Sequence, residues 1–196
     1  MAATGASAAG GTAAGGRVAD GHAAQAQRPS AWVERFAPLV PAGAVVLDVA
    51  CGAGRHTRLF RGLGHPVVAV DRDVGRLGEP AGDPGVEVVE TDLETGAPFP
   101  WAGRRFGGVV VAWYLHRPIL GGLVAAVAPG GVLLYETFGP GRSARPEFVL
   151  EAGELLEVVA GELEVVAFEE AAGERGVQRI AARRPVAGTG DGVAPG

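Results

Sequence analysis

The chain has 196 residues, a formal net charge of −5 and 47% hydrophobic residues, which suits one domain with a sizeable core. It holds no lysine, which excludes Schiff-base, Walker-lysine and lysine general-base chemistry, and its single cysteine excludes a disulfide framework or a multi-cysteine zinc site. The acidic balance argues against a nucleic-acid partner, whose binders carry a basic footprint.

Residues 1–28 are mostly Ala, Gly, Ser and Thr and bury too little apolar surface to order themselves, so a tail is expected there, and another over 186–196. No basic residue precedes Arg17 and no Leu/Val-rich core follows, so the start does not read as a secretory signal. The expected setting is the cytoplasm, with the folded domain over 29–185.

Ser30–Phe36 reads as a short amphipathic helix with Trp32 and Phe36 at i,i+4, either packed on the domain or lying over a ligand. Apolar, β-branched runs then recur at 45–49, 67–71, 86–90, 108–113 and 132–136. Such runs suit strands covered on both faces. Helical patterns fall between them, at about 54–64, 73–79, 115–128 and 147–160. The longest uncharged stretch, Pro118–Tyr135, is broken by Pro129-Gly130-Gly131, so no membrane span is expected. Leu163–Glu169 and Val177–Arg183 close the domain as an antiparallel hairpin. The expected fold is a doubly wound α/β sandwich, with a mostly parallel seven-stranded sheet and a C-terminal hairpin.

The first strand runs into Asp48-Val49-Ala50-Cys51-Gly52-Ala53-Gly54, a glycine turn that opens a helix. Asp71 ends the second strand about 20 residues further on, where a carboxylate accepts ribose hydroxyls. Asp92 follows the third strand. Two nucleotide cofactors compete for this pattern. A nicotinamide dinucleotide wants G-x-G-x-x-G, but Thr57 holds the third glycine position. Asp48 would also meet a pyrophosphate, at a cost of about 3 kcal/mol for two like charges roughly 5 Å apart at an effective dielectric near 20. S-adenosylmethionine has no phosphate, and its sulfonium and ammonium suit Asp48.

The sequence resembles class I S-adenosylmethionine-dependent methyltransferases over about 30–183. The likeness rests on Val46–Gly54, Asp71, Asp92-Leu93 and Ala128-Pro129-Gly130-Gly131-Val132-Leu133. Among these it is most similar to the small tellurite-resistance-type methyltransferases, through Cys51–His56 and Phe148–Leu155. The resemblance implies a Rossmann-like fold and S-adenosylmethionine as the cofactor. It implies that Asp48, Ala50, Gly52 and Gly54 surround the donor's methionine part. Asp71 and Arg72 would lie at the ribose, Asp92 and Leu93 at the adenine, and Trp113 near the methionine end. Many relatives carry Phe-Asp before strand four, where this chain has Phe106-Gly107-Gly108.

Methyl transfer needs a general base only for a protonated, weakly nucleophilic acceptor. His116 and Tyr114 are the candidate catalytic residues, with a helix-start role as the alternative for His116. Arg117, Glu136 and Arg145 are candidate substrate contacts. Arg117 can instead pair with a carboxylate, and Glu136 with Arg142 or Arg145. The segment after strand four lacks the Asn/Asp-Pro-Pro-Tyr/Phe motif of nucleic-acid amino methyltransferases. Cys51 reads as a small packed residue, and no metal spacing links the four histidines. The expectation is a methyltransferase for a small-molecule acceptor, with a catalytically lapsed donor-binding module as the alternative.

Overall fold

The computed structural model describes residues 28–97, 99–142, 145–174 and 176–186. The expected tails, 1–28 and 186–196, lie outside these except for Arg28 and Val186.

Helix α1 (Ala31–Phe36) starts at Ser30, whose Oγ accepts the amides of Trp32 and Val33 at 3.2 and 3.4 Å. Trp32 and Phe36 stack with centroids 4.6 Å apart, and the Trp32 indole N–H donates to the Ile180 carbonyl at 3.2 Å. This helix is packed on the sheet: Trp32 and Phe36 join a core cluster with Val110, Leu134 and Ala181.

Seven strands form one sheet: β1 (Val46–Val49), β2 (Val67–Asp71), β3 (Val86–Glu90), β4 (Phe106–Ala112), β5 (Val127–Phe138), β6 (Glu164–Ala171) and β7 (Val177–Arg183). Their order is β3-β2-β1-β4-β5-β7-β6, with β1 to β5 parallel and β7 antiparallel to both its neighbours. Side chains alternate between the faces. Leu47, Val109, Val111, Leu133 and Tyr135 fill one core, and Val46, Ala69, Val110, Val132 and Leu134 the other. Two buried faces explain the continuous apolar runs of the central strands β1, β2 and β4, while the edge strands β3 and β6 are only partly buried.

The helices are shorter than their sequence patterns. Helix α2 (Arg55–Gly62) follows β1, α3 (Leu120–Ala125) precedes β5 and α4 (Glu154–Val159) precedes β6. The helix expected over 73–79 is replaced by two 3-10 turns, Val74–Arg76 and Glu79–Gly82. Asp73 caps the first through the Gly75 amide, and Gly78 at φ 66° breaks the run. Over 115–128, the helix is confined to α3 because β5 begins at Val127 and pairs with Phe106 before a register shift. Over 147–160, Gly153 at φ 72° delays α4.

The Gly107-Gly108 departure has a packing reason. A Cβ on Gly107 would collide with Ala44, and one on Gly108 would lie 2.9 Å from Val40. These glycines let the α1–β1 connection cross the start of β4, at the opposite end of that strand from Trp113.

Candidate active site

In an open parallel sheet, ligands bind beyond the carboxyl ends of the strands where the connections diverge. Here the chain leaves β1 towards β2 on one side, while β4 lies on the other. A cavity of about 590 Å³ opens at this point, walled by Ala50, Gly52, Asp71, Arg72, Arg76, Thr91, Asp92, Leu93, Glu94, Trp113, Tyr114, Arg145 and Phe148.

Two wall residues carry backbone strain. Ala50 has φ 52° and Trp113 φ 60°, each directly after its strand, β1 and β4. The left-handed region costs a non-glycine residue about 1–2 kcal/mol, and such strain collects at ligand sites. Trp113 is held there by its amide, which donates to the Glu136 carbonyl at 2.9 Å.

The turn after β1 uses its two glycines differently. At Gly52 (φ 53°) a Cβ would meet no atom within 4 Å, so the backbone borders open space. At Gly54 (φ 72°) a Cβ would collide with Leu77, and the residue caps α2 away from the cavity wall. Packing against Leu77 thus requires Gly54 to be a glycine, and the residue does not line the cavity.

Asp48 also departs from expectation. It is 1% exposed, does not line the cavity, and accepts the Thr57 hydroxyl at 2.6 Å. Burial pushes its pKa up to about 6, although the Thr57 hydrogen bonds oppose the shift. Thr57, at the position of the dinucleotide fingerprint's third glycine, therefore holds the carboxylate beneath the turn. The acids on the wall are Asp71, Asp92 and Glu94. Asp71 accepts the Gly52 amide at 2.8 Å and the Asp73 amide at 3.0 Å, while Asp92 accepts the Glu94 amide at 2.9 Å.

On the β4 side, Tyr114 lines the cavity and its backbone carbonyl accepts the Tyr135 hydroxyl at 2.8 Å. The Tyr114 hydroxyl is buried and has no hydrogen-bond partner among the described residues. Burial, then the nearby Glu94 and Asp92 carboxylates, push its pKa up, so the phenol keeps its proton. Glu94 thus influences the phenol without reaching hydrogen-bond geometry.

His116 stands before the 3-10 turn Arg117–Ile119 and is not on the wall. Arg117 is engaged elsewhere: it clasps the Glu154 carboxylate at 2.8 and 2.9 Å and donates to the Val149 carbonyl at 2.8 Å. Glu136 is 1% exposed and lies 3.2 Å from Arg179, its cross-strand neighbour on β7 and neither arginine expected from the sequence. Of the three substrate candidates, only Arg145 reaches the cavity. Cys51 is buried, and burial with Asp48 and Asp71 nearby pushes its thiol pKa up, which removes nucleophilic character. Arg76, Thr91, Glu94 and Phe148 complete the wall without having been singled out from the sequence. Glu94 and Thr91 directly flank the Asp92-Leu93 pair that was.

No family model matches the sequence, and no curated protein matches it either. Solved structures do match. TehB from Haemophilus influenzae superposes with TM-score 0.65 at 18% identity, over 78% of this chain and 61% of that one, so the match spans less than two thirds of TehB. A TehB-like SAM-dependent methyltransferase from Corynebacterium glutamicum gives 0.61 at 19%, over 86% and 95%. The glycopeptide N-methyltransferase MtfA complexed with S-adenosyl-L-methionine gives 0.53 at 20%, over 79% and 92%. The chain has the class I methyltransferase fold. Within this fold the cavity lies at the divergence of β1 and β4, and the resemblance read from the sequence extends to the whole sheet order. Among the described residues, no helix is long and apolar enough to cross a membrane, and no cluster of ligating side chains could hold a metal ion.

Proposed function

We propose that this chain is an S-adenosylmethionine-dependent methyltransferase acting on a small-molecule acceptor. The observation that carries the reading is the joined wall at the β1/β4 divergence, where Asp71 is fastened to the Gly52 amide beside the strained Ala50 and Trp113. The cavity volume, about 590 Å³, lies within the usual range for small-molecule sites.

The residues present fit the donor. Asp71 would accept its ribose hydroxyls, Asp92 and Leu93 would flank the adenine, and Ala50, Gly52 and Trp113 would border the methionine part. When bound, the donor supplies a methyl group on a sulfonium, which an acceptor lone pair takes in line as the carbon–sulfur bond breaks and its electron pair returns to sulfur.

A dinucleotide fits less well. Leu77 packs against the Gly54 turn, and Thr57, in place of the fingerprint's third glycine, is taken up by Asp48. The described wall holds no histidine, so acceleration falls to positioning, which is worth up to about 7–11 kcal/mol in favourable cases. Arg145 orients the acceptor.

Calorimetry with S-adenosylmethionine, its demethylated product and NAD tests the binding half. Affinity for the first two and none for NAD is expected, and NAD binding alone overturns the reading. Transfer of a labelled methyl group across thiol, oxyanion and hydroxylated acceptors then separates an enzyme from a binding module that turns nothing over.

A further inference from the structure

The β2–β3 end of the cavity carries Asp71, Asp92 and Glu94 together with Arg72 and Arg76, and the end formed after β4 and β5 carries Trp113, Arg145 and Phe148 with no carboxylate among its described wall residues. At that second end Trp113 is 42% exposed, an unusual state for a large indole, and is tilted against Phe138 with centroids 5.3 Å apart. The Arg142 guanidinium lies 4.7 Å over the Phe138 ring and that of Arg145 4.7 Å over Phe148. The Arg142–Phe138 pair thus borders the indole through Phe138, and the Arg145–Phe148 pair shares the cavity wall with it.

An arginine stacked on a ring keeps its N–H edge free for a planar, two-oxygen anion. The only carboxylate near Arg145 among the described residues is Glu147 at 3.6 Å, with both side chains more than half exposed, so that contact is easily exchanged. A small, roughly spherical oxyanion would use the guanidinium and leave the indole bare. A neutral aromatic ring would use the indole and leave the arginine idle. We infer that the acceptor is a planar aromatic carboxylate, its ring against Trp113 and its carboxylate on Arg145, with Arg142 adding charge nearby. This rests on the proposed donor reading, in which the donor takes the acidic end and reaches Trp113 only with its methionine part, leaving Arg145 and the open side of the indole to the acceptor.

The test uses the full chain with S-adenosylhomocysteine present and compares 4-hydroxybenzoate, its methyl ester and tellurite by calorimetry. Binding of S-adenosylhomocysteine is measured first, and its absence would overturn the donor reading separately. With it bound, 4-hydroxybenzoate should bind at least about tenfold tighter than its ester, and the ratio should fall to about threefold or less in Arg145→Gln. Arg145→Lys, which keeps the charge but loses the fork, should give an intermediate ratio. Equal affinity for acid and ester in the unaltered chain, or tellurite displacing 4-hydroxybenzoate at lower concentration, overturns the inference. The acid-to-ester comparison in the unaltered chain stands even if both variants fail to fold.

Discussion

The Asp71 carboxylate, at the end of β2, accepts the amide of Gly52, in the turn beyond β1, at 2.8 Å. This contact joins two loops into one wall and aims a carboxylate along the cavity. Asp71→Ala should weaken S-adenosylmethionine binding by about 1–3 kcal/mol, the range for hydrogen bonds to a charged group. An unchanged dissociation constant in calorimetry would refute the ribose assignment.

The two glycines of the turn should respond differently to alanine. Gly54→Ala meets both a positive φ and the Leu77 side chain, so stability should fall by about 2 kcal/mol or more. Gly52→Ala meets only the backbone penalty of about 1–2 kcal/mol, and its methyl enters the space beside the wall, so donor affinity should fall as well. Urea denaturation and calorimetry on both variants check this, and equal stability losses would contradict it.

Two buried groups give opposing pH dependences. Burial raises the Asp48 pKa to about 6, so its contribution to stability is full below the unfolded value of 3.8 and is lost as pH rises through about 6. His56, whose Nε2 accepts the Ser30 amide at 3.2 Å, has its pKa lowered to about 3 by burial and then by Arg55. Its contribution is full above the unfolded value of 6.5 and is lost as pH falls through about 3. Between pH 4 and 6 the slopes oppose. Asp48→Asn removes one of them, so its stability relative to the unaltered chain should rise by about 2–3 kcal/mol from pH 4 to pH 7. Denaturation midpoints across that range measure the difference, and a flat difference would show that Asp48 is not desolvated as described.

Arg117 fastens the segment after β4 to α4 through Glu154 and the Val149 carbonyl. Its side chain is 39% exposed, so Arg117→Ala should cost only about 1 kcal/mol of stability. Donor affinity should stay as it was. A large loss of donor affinity at unchanged stability would return Arg117 to the ligand site.

The central strands were legible because burial on both faces writes an apolar run into them, and the half-buried edge strand β3 through its valines; β1, β2, β3 and β7 fall within a residue of their runs. Helices were less so, since Gly75, Gly78, Pro80 and Gly153 cut short patterns that hydrophobic spacing alone extends. The cavity could be placed from the glycine turn and the strand-end acids. The role of Asp48 could not. Its alternation with Val46 and Leu47 already put it on the face opposite Leu47, but the Thr57 hydroxyl reaches it only because α2 folds back over β1.

By itself the sequence determined the alternation of strands and helices, the closing hairpin and the edge of the sheet where the cavity opens. Those features follow from local periodicity and turn chemistry, which each segment carries within itself. Tertiary structure alone decided which charged groups line that cavity. Arg117 went to Glu154, Glu136 to Arg179 and Asp48 to Thr57, leaving Asp71, Arg72, Arg76, Asp92, Glu94 and Arg145 on the wall. A charge takes the partner that strand register and helix docking bring to it, and that partner can lie anywhere along the chain.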